Sequence, residues 1–290
     1  VYNSANSMGH GDCLFSALLV PLLISCGGGG STTVAEGGIG GSGVSSGPIT
    51  GFGSIYVNGI KYDVANAQFI RDGESSAGQE QFSIGEYVTV NGSVDANGIT
   101  GTASQVVFED LVEGPVTTPS QDGVTLEVLD TQVRTDGLTV FIGFSLLTDL
   151  NGGNIVEVSG VRDAEGRVNA SSIRLKGVGF EPGESLLEIN GNISSVDPAA
   201  MSFTLYGWSV DYSSAHLEGF VNGMPKVGQS VEVKSRQLPA GQEMIASSVE
   251  LMRTGYGYEA DTEVEIYGLI TRYVSNSDFD VNGQPIRTKA

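Results

Sequence analysis

The segment Gly85-Glu-Tyr-Val-Thr-Val-Asn-Gly92 is the main indication of the fold, because the chain repeats it twice. The later copies are Gly153-Asn-Ile-Val-Glu-Val-Ser-Gly160 and Gly228-Gln-Ser-Val-Glu-Val-Lys-Ser235. An Ala-Ser block follows each copy after 17 or 18 residues, and these blocks begin at Ala103, Ala170 and Ala246. Markers that recur in one order at a period of about seventy residues indicate tandem structural repeats.

A third marker supports the same period. It is an apolar segment interrupted by glycine, and it precedes the Gly-led segment of each later repeat. Its copies are Val112-Glu-Gly114-Pro-Val116, Leu187-Glu-Ile-Asn-Gly191-Asn-Ile193 and Val264-Glu-Ile-Tyr-Gly268-Leu-Ile270. The last copy opens a fourth repeat that lacks the later markers, so we expect that repeat to be truncated.

Each repeat is predicted to be built from short strands. Apolar residues alternate with polar ones, as at Val88 and Val90, which is the period of a half-buried strand. Asx-Gly turns such as Asp122-Gly123 are typical of hairpins. Only residues 145–150 (Ser-Leu-Leu-Thr-Asp-Leu) favour a helix, of one or two turns with a serine cap, before the fourth strand.

We therefore predict an all-β protein of tandem small five-stranded OB-like Greek-key barrels, with the last repeat truncated. Closure would remove the exposed strand edges that a flat sheet of this size leaves. The predicted organisation is a signal peptide at 1–26, a Gly-rich tether at 27–46, and β repeats at 47–110, 111–180, 181–255 and, in part, 256–290.

The repeats resemble a family of bacterial lipoprotein repeats of unknown function, predicted to be OB-like. The resemblance is carried by Gly37–Gly43, by Gly53-Ser-Ile-Tyr-Val-Asn-Gly59, by the Gly85 segment and by the Ala103-Ser block. It covers most of residues 37–252. It implies a tandem lipoprotein at the cell surface or in the periplasm, and it supplies no functional residues.

The N-terminal segment favours a lipid anchor. Residues 14–24 (LFSALLVPLLI) have the length of a signal-peptide core, and Leu23-Ile24-Ser25-Cys26 resembles the lipobox, in which Cys26 is acylated. Gly27 after the cysteine is compatible with an outer-membrane destination. The segment departs from the usual signal-peptide pattern, which opens with Lys or Arg, because the first basic residue here is Lys61. A buried apolar N-terminal segment is the alternative.

Charge narrows the classes of partner. The chain has 34 acidic and 14 basic residues and a formal net charge of -20, which repels phosphate backbones. We therefore expect no nucleic-acid partner and a monomer whose contact with a membrane is through its lipid anchor. Polysaccharide and another envelope protein are the partner classes left open.

No catalytic constellation is evident. His216 is the single histidine after the leader, and a structural role explains it better than a pairing with nearby serines. The segments beginning at Asp95 and Asp163 start like calcium loops but lack the glutamate at the twelfth position, so turn chemistry explains them. We expect no enzyme activity, no cofactor and no dedicated metal site.

Aromatic residues offer the remaining candidate ligand site. Tyr206, Trp208 and Val210 are predicted to alternate along one strand, and Tyr206 and Trp208 could stack on a sugar. The alternative is that Trp208 is a core residue. Two functions follow: a non-enzymatic envelope lipoprotein whose repeats act as spacers or interaction modules, or a carbohydrate-binding protein.

Overall fold

The computed structural model describes residues 41–75, 78–163, 165–220, 223–252, 266–267, 270–281 and 284–287. Within these ranges the chain is built from strands and two short 3-10 helices. No helix in the described part of the chain has the length and apolarity needed to cross a bilayer. The prediction of tandem all-β repeats is confirmed.

Repeat 1 comprises residues 41–108. Its elements are β1 (Gly41–Gly51), β2 (Ile55–Val57), β3 (Ile60–Asp63), β4 (Gln68–Arg71), β5 (Glu74–Ser75), a 3-10 helix (Gln79–Gln81), β6 (Tyr87–Val94) and β7 (Thr100–Phe108). Strand β1 is antiparallel to β2 and β6, β2 is antiparallel to β3, β3 is parallel to β7, and β7 is antiparallel to β6. These pairings form a closed five-stranded ring.

Repeat 2 comprises residues 112–177 and has the same pairings. Its elements are β8 (Val112–Thr118), β9 (Thr125–Val128), β10 (Thr131–Arg134), β11 (Val140–Ile142), a 3-10 helix (Leu147–Asp149), β12 (Ile155–Arg162) and β13 (Val168–Gly177). The ring runs β8-β9-β10-β13-β12 and returns to β8. Like β4 on β7, β11 lies parallel to β13 outside the ring.

Repeat 3 comprises residues 187–251, and two of its long strands are interrupted. Its strands are β14 (Leu187–Asn192), β15 (Ser195–Asp197), β16 (Ser202–Leu205), β17 (Trp208–Asp211), β18 (His216–Glu218), β19 (Ser230–Ser235), β20 (Glu243–Ile245) and β21 (Ser248–Leu251). Backbone hydrogen bonds continue across both breaks, from Ser194 to Thr204 and from Ala246 to Asp211. The third repeat therefore keeps the strand order of the first two.

The described residues of the fourth segment form four strands. These are β22 (Ile266–Tyr267), β23 (Ile270–Ser275), β24 (Asp278–Val281) and β25 (Gln284–Arg287). Strands β23, β24 and β25 form an antiparallel sheet, and β22 lies parallel to β1.

The glycines that open the repeated segment have one structural role. Gly85, Gly153 and Gly228 have φ angles of 90°, 87° and 84°, a region that side chains with a Cβ disfavour. The N–H groups of these glycines donate to Ile49, Val116 and Ile193, the corresponding residues of the first strand of each repeat. Glycine at this position turns the chain into the fourth strand of the barrel.

The glycine inside the first strand has a different role. The turn between the second and third strands projects a side chain over it, and these pairs are Gly47 with Asn58, Gly114 with Leu129, and Gly191 with Tyr206. All three turn residues have positive φ. A Cβ on the glycine would overlap the turn side chain, so this position stays without one.

The apolar core is divided unequally. One cluster of buried side chains lies wholly within repeat 1, including Ile49, Tyr62 and Phe108. A second cluster is continuous through repeats 2 and 3, from Val112 to Val249. Repeats 2 and 3 therefore share one hydrophobic core, whereas repeat 1 has its own.

Two sequence predictions need correction here. The tether was predicted to reach residue 46, but β1 begins at Gly41, and Val44 is buried and opposite Asn91. The glycine-rich composition hid this part of the strand. The predicted helix at 145–150 is one 3-10 turn, and the carboxylate of Asp149 accepts from the backbone N–H groups of Ser145 and Leu146, so serine is not the cap.

Candidate functional site

Charged side chains are concentrated where the repeats meet. Seven carboxylates and four cationic groups lie there, all of them less than half exposed. They are Asp72, Glu86, Asp110, Glu113, Glu157, Glu188 and Glu232, with Arg71, Arg174, Lys176 and Lys234. Burying charges is unfavourable unless they are paired, so the geometry of each partner decides what this region can do.

Arg71, Glu86, Glu157 and Arg174 form the arginine cluster between repeats 1 and 2. Arg71 Nη1 lies 3.2 Å from Glu86 Oε1, and Arg71 Nη2 donates to Glu157 Oε1 at 2.8 Å. Arg174 Nη2 donates to Glu86 Oε1 at 2.5 Å, and Arg174 Nε donates to Glu157 Oε1 at 3.3 Å. Each glutamate thus meets one arginine from its own repeat and one from the other.

Lys176 extends this network toward the third repeat. Its Nζ lies 2.9 Å from Glu157 Oε2 and 3.1 Å from Glu113 Oε2. Burial opposes the ammonium charge, but the two glutamates outweigh it and raise the pKa of Lys176. Burial also opposes the Glu157 charge, but Lys176 and Arg71 outweigh it and lower the pKa of Glu157. Glu157 is therefore held as a carboxylate.

Asp72, Asp110 and Glu188 form the carboxylate cluster, which brings repeat 1, the linker after it and repeat 3 together. One oxygen of each lies within 4.8 Å of one oxygen of each of the others. Lys234 is one nearby cation, but its Nζ lies 2.7 Å from Glu232 and 3.6 Å from Glu188. It also donates to the backbone carbonyl of Asp72 at 3.1 Å.

Among the described residues, the cations near the carboxylate cluster do not balance its negative charge. Burial and the neighbouring Asp72 raise the pKa of Asp110 well above its usual value. Burial, Asp110 and Glu232 do the same to the pKa of Glu188. Burial and the charge of Glu157 raise the pKa of Asp72 to about 6. These groups can share protons or accept a further cation.

Several oxygen atoms in this region have no hydrogen-bond donor among the described residues. They are Oδ1 of Asp72, Oδ1 of Asp110, Oε1 of Glu188 and Oδ1 of Asn190, and each is buried. Asn190 is anchored beside the cluster, because its Nδ2 donates to the backbone carbonyl of Asp110. Buried acceptors of this kind are costly and call for a partner.

The two aromatic residues predicted to bind a ligand do not share a strand face. Trp208 is only 5% exposed, and its Nε1 donates to the backbone carbonyl of Leu129 in repeat 2 at 3.2 Å. Tyr206 is exposed, lies in the turn before β17, and stacks under the guanidinium of Arg162 at 4.6 Å. The predicted alternation of Tyr206, Trp208 and Val210 is wrong, because a two-residue turn with positive φ at Tyr206 and Gly207 precedes Trp208.

The other candidates lie in a strand, in a turn or outside the described residues. His216 is exposed at the start of β18. Asp163 accepts from the backbone N–H groups of Glu165 and Arg167, which is the turn chemistry expected. Cys26 and the predicted signal peptide lie outside the described residues.

Sequence reasoning missed both charged clusters. A signal was available, since Glu157 and Glu232 occupy the same place in the repeated segment, between two valines. Alternation would place such a glutamate on a defined face. The pattern does not show that a second barrel covers that face.

Comparison with known proteins identifies the repeats. A family described as "Domain of unknown function (DUF5666)" matches three times, at residues 44–107, 113–174 and 190–250. No curated protein matches the chain. Among solved structures, "drosophila Unr CSD456" is similar with a TM-score of 0.22 and 12% sequence identity, over 74% of this chain and 97% of that one.

The three matched segments make up more than half of the chain, and each contains one Gly-led strand and one Ala-Ser block. Their order and spacing are those of the three repeats described above. The chain therefore belongs to the DUF5666 family, of which it carries three tandem copies.

Proposed function

We propose that this protein is a non-enzymatic envelope lipoprotein whose joined barrels act as a spacer or interaction module. The observation that carries the proposal is the contact between repeats: buried arginine–glutamate pairs between repeats 1 and 2, and a shared apolar core in repeats 2 and 3. Modules joined in this way hold a fixed relative position, which is what a spacer requires.

The strand order supports an OB-type description of each repeat. The ring runs through the first, second, third, fifth and fourth strands and back to the first, with the third and fifth parallel. Many proteins of unrelated function share such barrels, so this description identifies no ligand. Trp208, the residue on which a sugar-binding role would rest, is used as a contact between repeats.

The anchor rests on the sequence. Leu23-Ile24-Ser25-Cys26 would place the acylated cysteine ahead of a glycine-rich tether, and an outer-membrane destination fits Gly27. Acyl chains contribute about 0.8 kcal/mol per buried methylene, so two or three chains would hold the protein stably at a bilayer. The envelope partner would then be polysaccharide or another protein, met by a monomer.

The spacer role is tested by measuring a distance across the repeats. Spin labels at exposed turn positions, introduced as Asn66→Cys and Ala200→Cys in a chain carrying Cys13→Ser and Cys26→Ser, report on repeats 1 and 3. We expect one narrow distance distribution from pulsed electron paramagnetic resonance. A broad distribution, as from beads on a string, would contradict the proposal.

The anchor is tested separately in a bacterial host. Radiolabelled palmitate should be incorporated into the full chain and lost in Cys26→Ser, with Cys13→Ser as the matched control that keeps the label. Membrane fractionation should follow the label. A wild-type chain that takes up no palmitate would refute the anchor and leave the spacer measurement unaffected.

A further inference from the structure

The carboxylate cluster is the part of the molecule whose arrangement is least explained by folding alone. Asp72, Asp110 and Glu188 come from three different parts of the chain, yet one oxygen from each lies within 4.8 Å of the others. We propose that these three side chains bind a divalent cation, with Ca²⁺ favoured, where repeat 1, the linker after it and repeat 3 meet.

The spacing of the oxygens fits one ion. Calcium binds protein oxygens at about 2.3–2.6 Å, so two oxygens on the same ion lie at most about 5 Å apart. The three carboxylate oxygens satisfy this limit pairwise. An ion centred among three oxygens at this spacing would lie at most about 2.8 Å from each, so small rotations of the carboxylates would bring them to bonding distance.

A neutral oxygen supplies a second, independent indication. Asn190 is only 3% exposed, and its Nδ2 donates to the backbone carbonyl of Asp110. Its Oδ1 accepts no hydrogen bond from any described residue. An amide carbonyl held beside Asp110 in this way is a calcium ligand by type, and it owes nothing to the acidity of the cluster.

The cations of the described residues do not satisfy the cluster. Lys234 lies closest to Glu232, at 2.7 Å, and is 3.6 Å from Glu188. Arg71 Nε lies 3.6 Å from Asp72 Oδ2, while its terminal nitrogens are bound to Glu86 and Glu157. Oδ1 of Asp110 and Oε1 of Glu188 are left without a donor among the described residues.

Solvent can reach the cluster from one side. The Asp72 side chain is 24% exposed, whereas Asp110 is 1% exposed. Asp72 also lines a cleft with three further carboxylates, Glu113, Glu181 and Glu184, and with two cations, Lys176 and Arg236. Carboxylates outnumber cations by four to two in this cleft, so it offers a cation a route to Asp72.

The preference for calcium follows from the donors. Carboxylate and amide oxygens from a buried, irregular site suit the flexible coordination of Ca²⁺. Mg²⁺ keeps several waters and requires near-octahedral geometry, which three converging side chains, two of them buried, do not readily accommodate.

The experiment is calorimetric titration of CaCl₂, and separately MgCl₂, into the full chain after removal of metal with a chelator and dialysis. We expect one Ca²⁺ per chain, a higher melting temperature with Ca²⁺, and weaker binding of Mg²⁺. In Asp110→Asn the affinity should fall about tenfold or more, and calcium should no longer raise the melting temperature.

Controls keep the result decisive. Asp72→Asn alters the partly exposed ligand and should lower affinity as well, which covers the case that Asp110→Asn does not fold. Asp130→Asn removes the same charge from an exposed hairpin turn and should bind calcium as the wild type does. Absence of calcium binding by the wild type, or wild-type affinity in Asp72→Asn and Asp110→Asn, would overturn the proposal.

Discussion

The contact between repeats 1 and 2 and the contact between repeats 2 and 3 are built from different interactions. Repeat 1 keeps its own apolar core and meets repeat 2 through the arginine cluster and through a hydrogen bond from the Tyr87 backbone to Ser159. Repeats 2 and 3 instead share one core, and β8 pairs directly with β14.

These two contacts show that one kind of domain can be joined to its neighbours in two ways. Buried ion pairs fix orientation, since a guanidinium must meet its carboxylate in a narrow geometry, but they contribute little net free energy. A shared core contributes more free energy and tolerates small shifts of packing. We therefore expect the first contact to be specific and weak, and the second to be strong.

The largest expected effect comes from breaking the arginine cluster on one side. Arg71→Ala leaves Glu86 and Glu157 buried with one arginine fewer, and breaking a buried pair in this way costs about 3–5 kcal/mol. Urea denaturation of the full chain should show this loss. Arg167→Ala is the control, because its pair with Asp163 is screened by solvent at the surface and its loss should change stability much less. Equal effects would contradict the distinction.

A substitution with an expected effect of the same size tests the contact between repeats 2 and 3. Trp208→Ala should cost about 3–5 kcal/mol, because it leaves a cavity in the shared core and removes the hydrogen bond to Leu129. Trp208→Phe keeps most of the packing and should cost about 1–3 kcal/mol. Thermal unfolding checks both. A Trp208→Ala chain with wild-type stability would show that the indole is not a contact between repeats.

Two equivalent glycines test whether repeats 1 and 2 are packed together. Gly153→Ala places a side chain at positive φ in open space, at a cost of about 1–2 kcal/mol. Gly85→Ala carries the same backbone cost, and its Cβ would also lie 2.5 Å from Cβ of Val140 in repeat 2. We expect the second substitution to cost about 1–3 kcal/mol more by chemical denaturation. Equal costs would mean that repeats 1 and 2 are not packed at this point.

The smallest effect is expected at Asp122, whose turn lies away from both contacts between repeats. The backbone N–H groups of Val124 and Thr125, with the Thr125 hydroxyl, lower the pKa of Asp122 to about 2. A carboxyl group whose pKa is lowered by folding stabilises the fold at pH values above the ordinary Asp pKa of about 3.9. That stabilisation is lost as the pH falls toward 2. The difference in melting temperature between wild type and Asp122→Ala should therefore shrink from pH 5 to pH 2. A constant difference would indicate that the turn is stabilised by other means.

Much of the fold could be predicted because the repeats carry their own markers. Gly85, Gly153 and Gly228 each occupy positive φ, and Ala103, Ala170 and Ala246 are each buried, so residues that recur do so for a local physical reason. The start of β1 was missed because glycine and serine pair with β6 as readily as they form a tether.

The charged clusters could not be predicted in the same way. Arg71 and Glu157 are 86 residues apart, and their contact depends on how two barrels meet. Local alternation does not contain that information. Trp208 shows the same limit, because its partner Leu129 is in another repeat and only the assembled fold distinguishes a contact between repeats from a ligand platform.

Repeat 1 is held by polar contacts, whereas repeats 2 and 3 share a core. Hydrogen exchange of the full chain at increasing urea concentration tests this difference most directly. We predict that the amides of residues 44–107 exchange through an opening of lower free energy, and that those of 113–174 and 190–250 exchange together at a higher one. A single opening for all three repeats, or an opening that frees repeat 3 while repeats 1 and 2 stay protected, would contradict it.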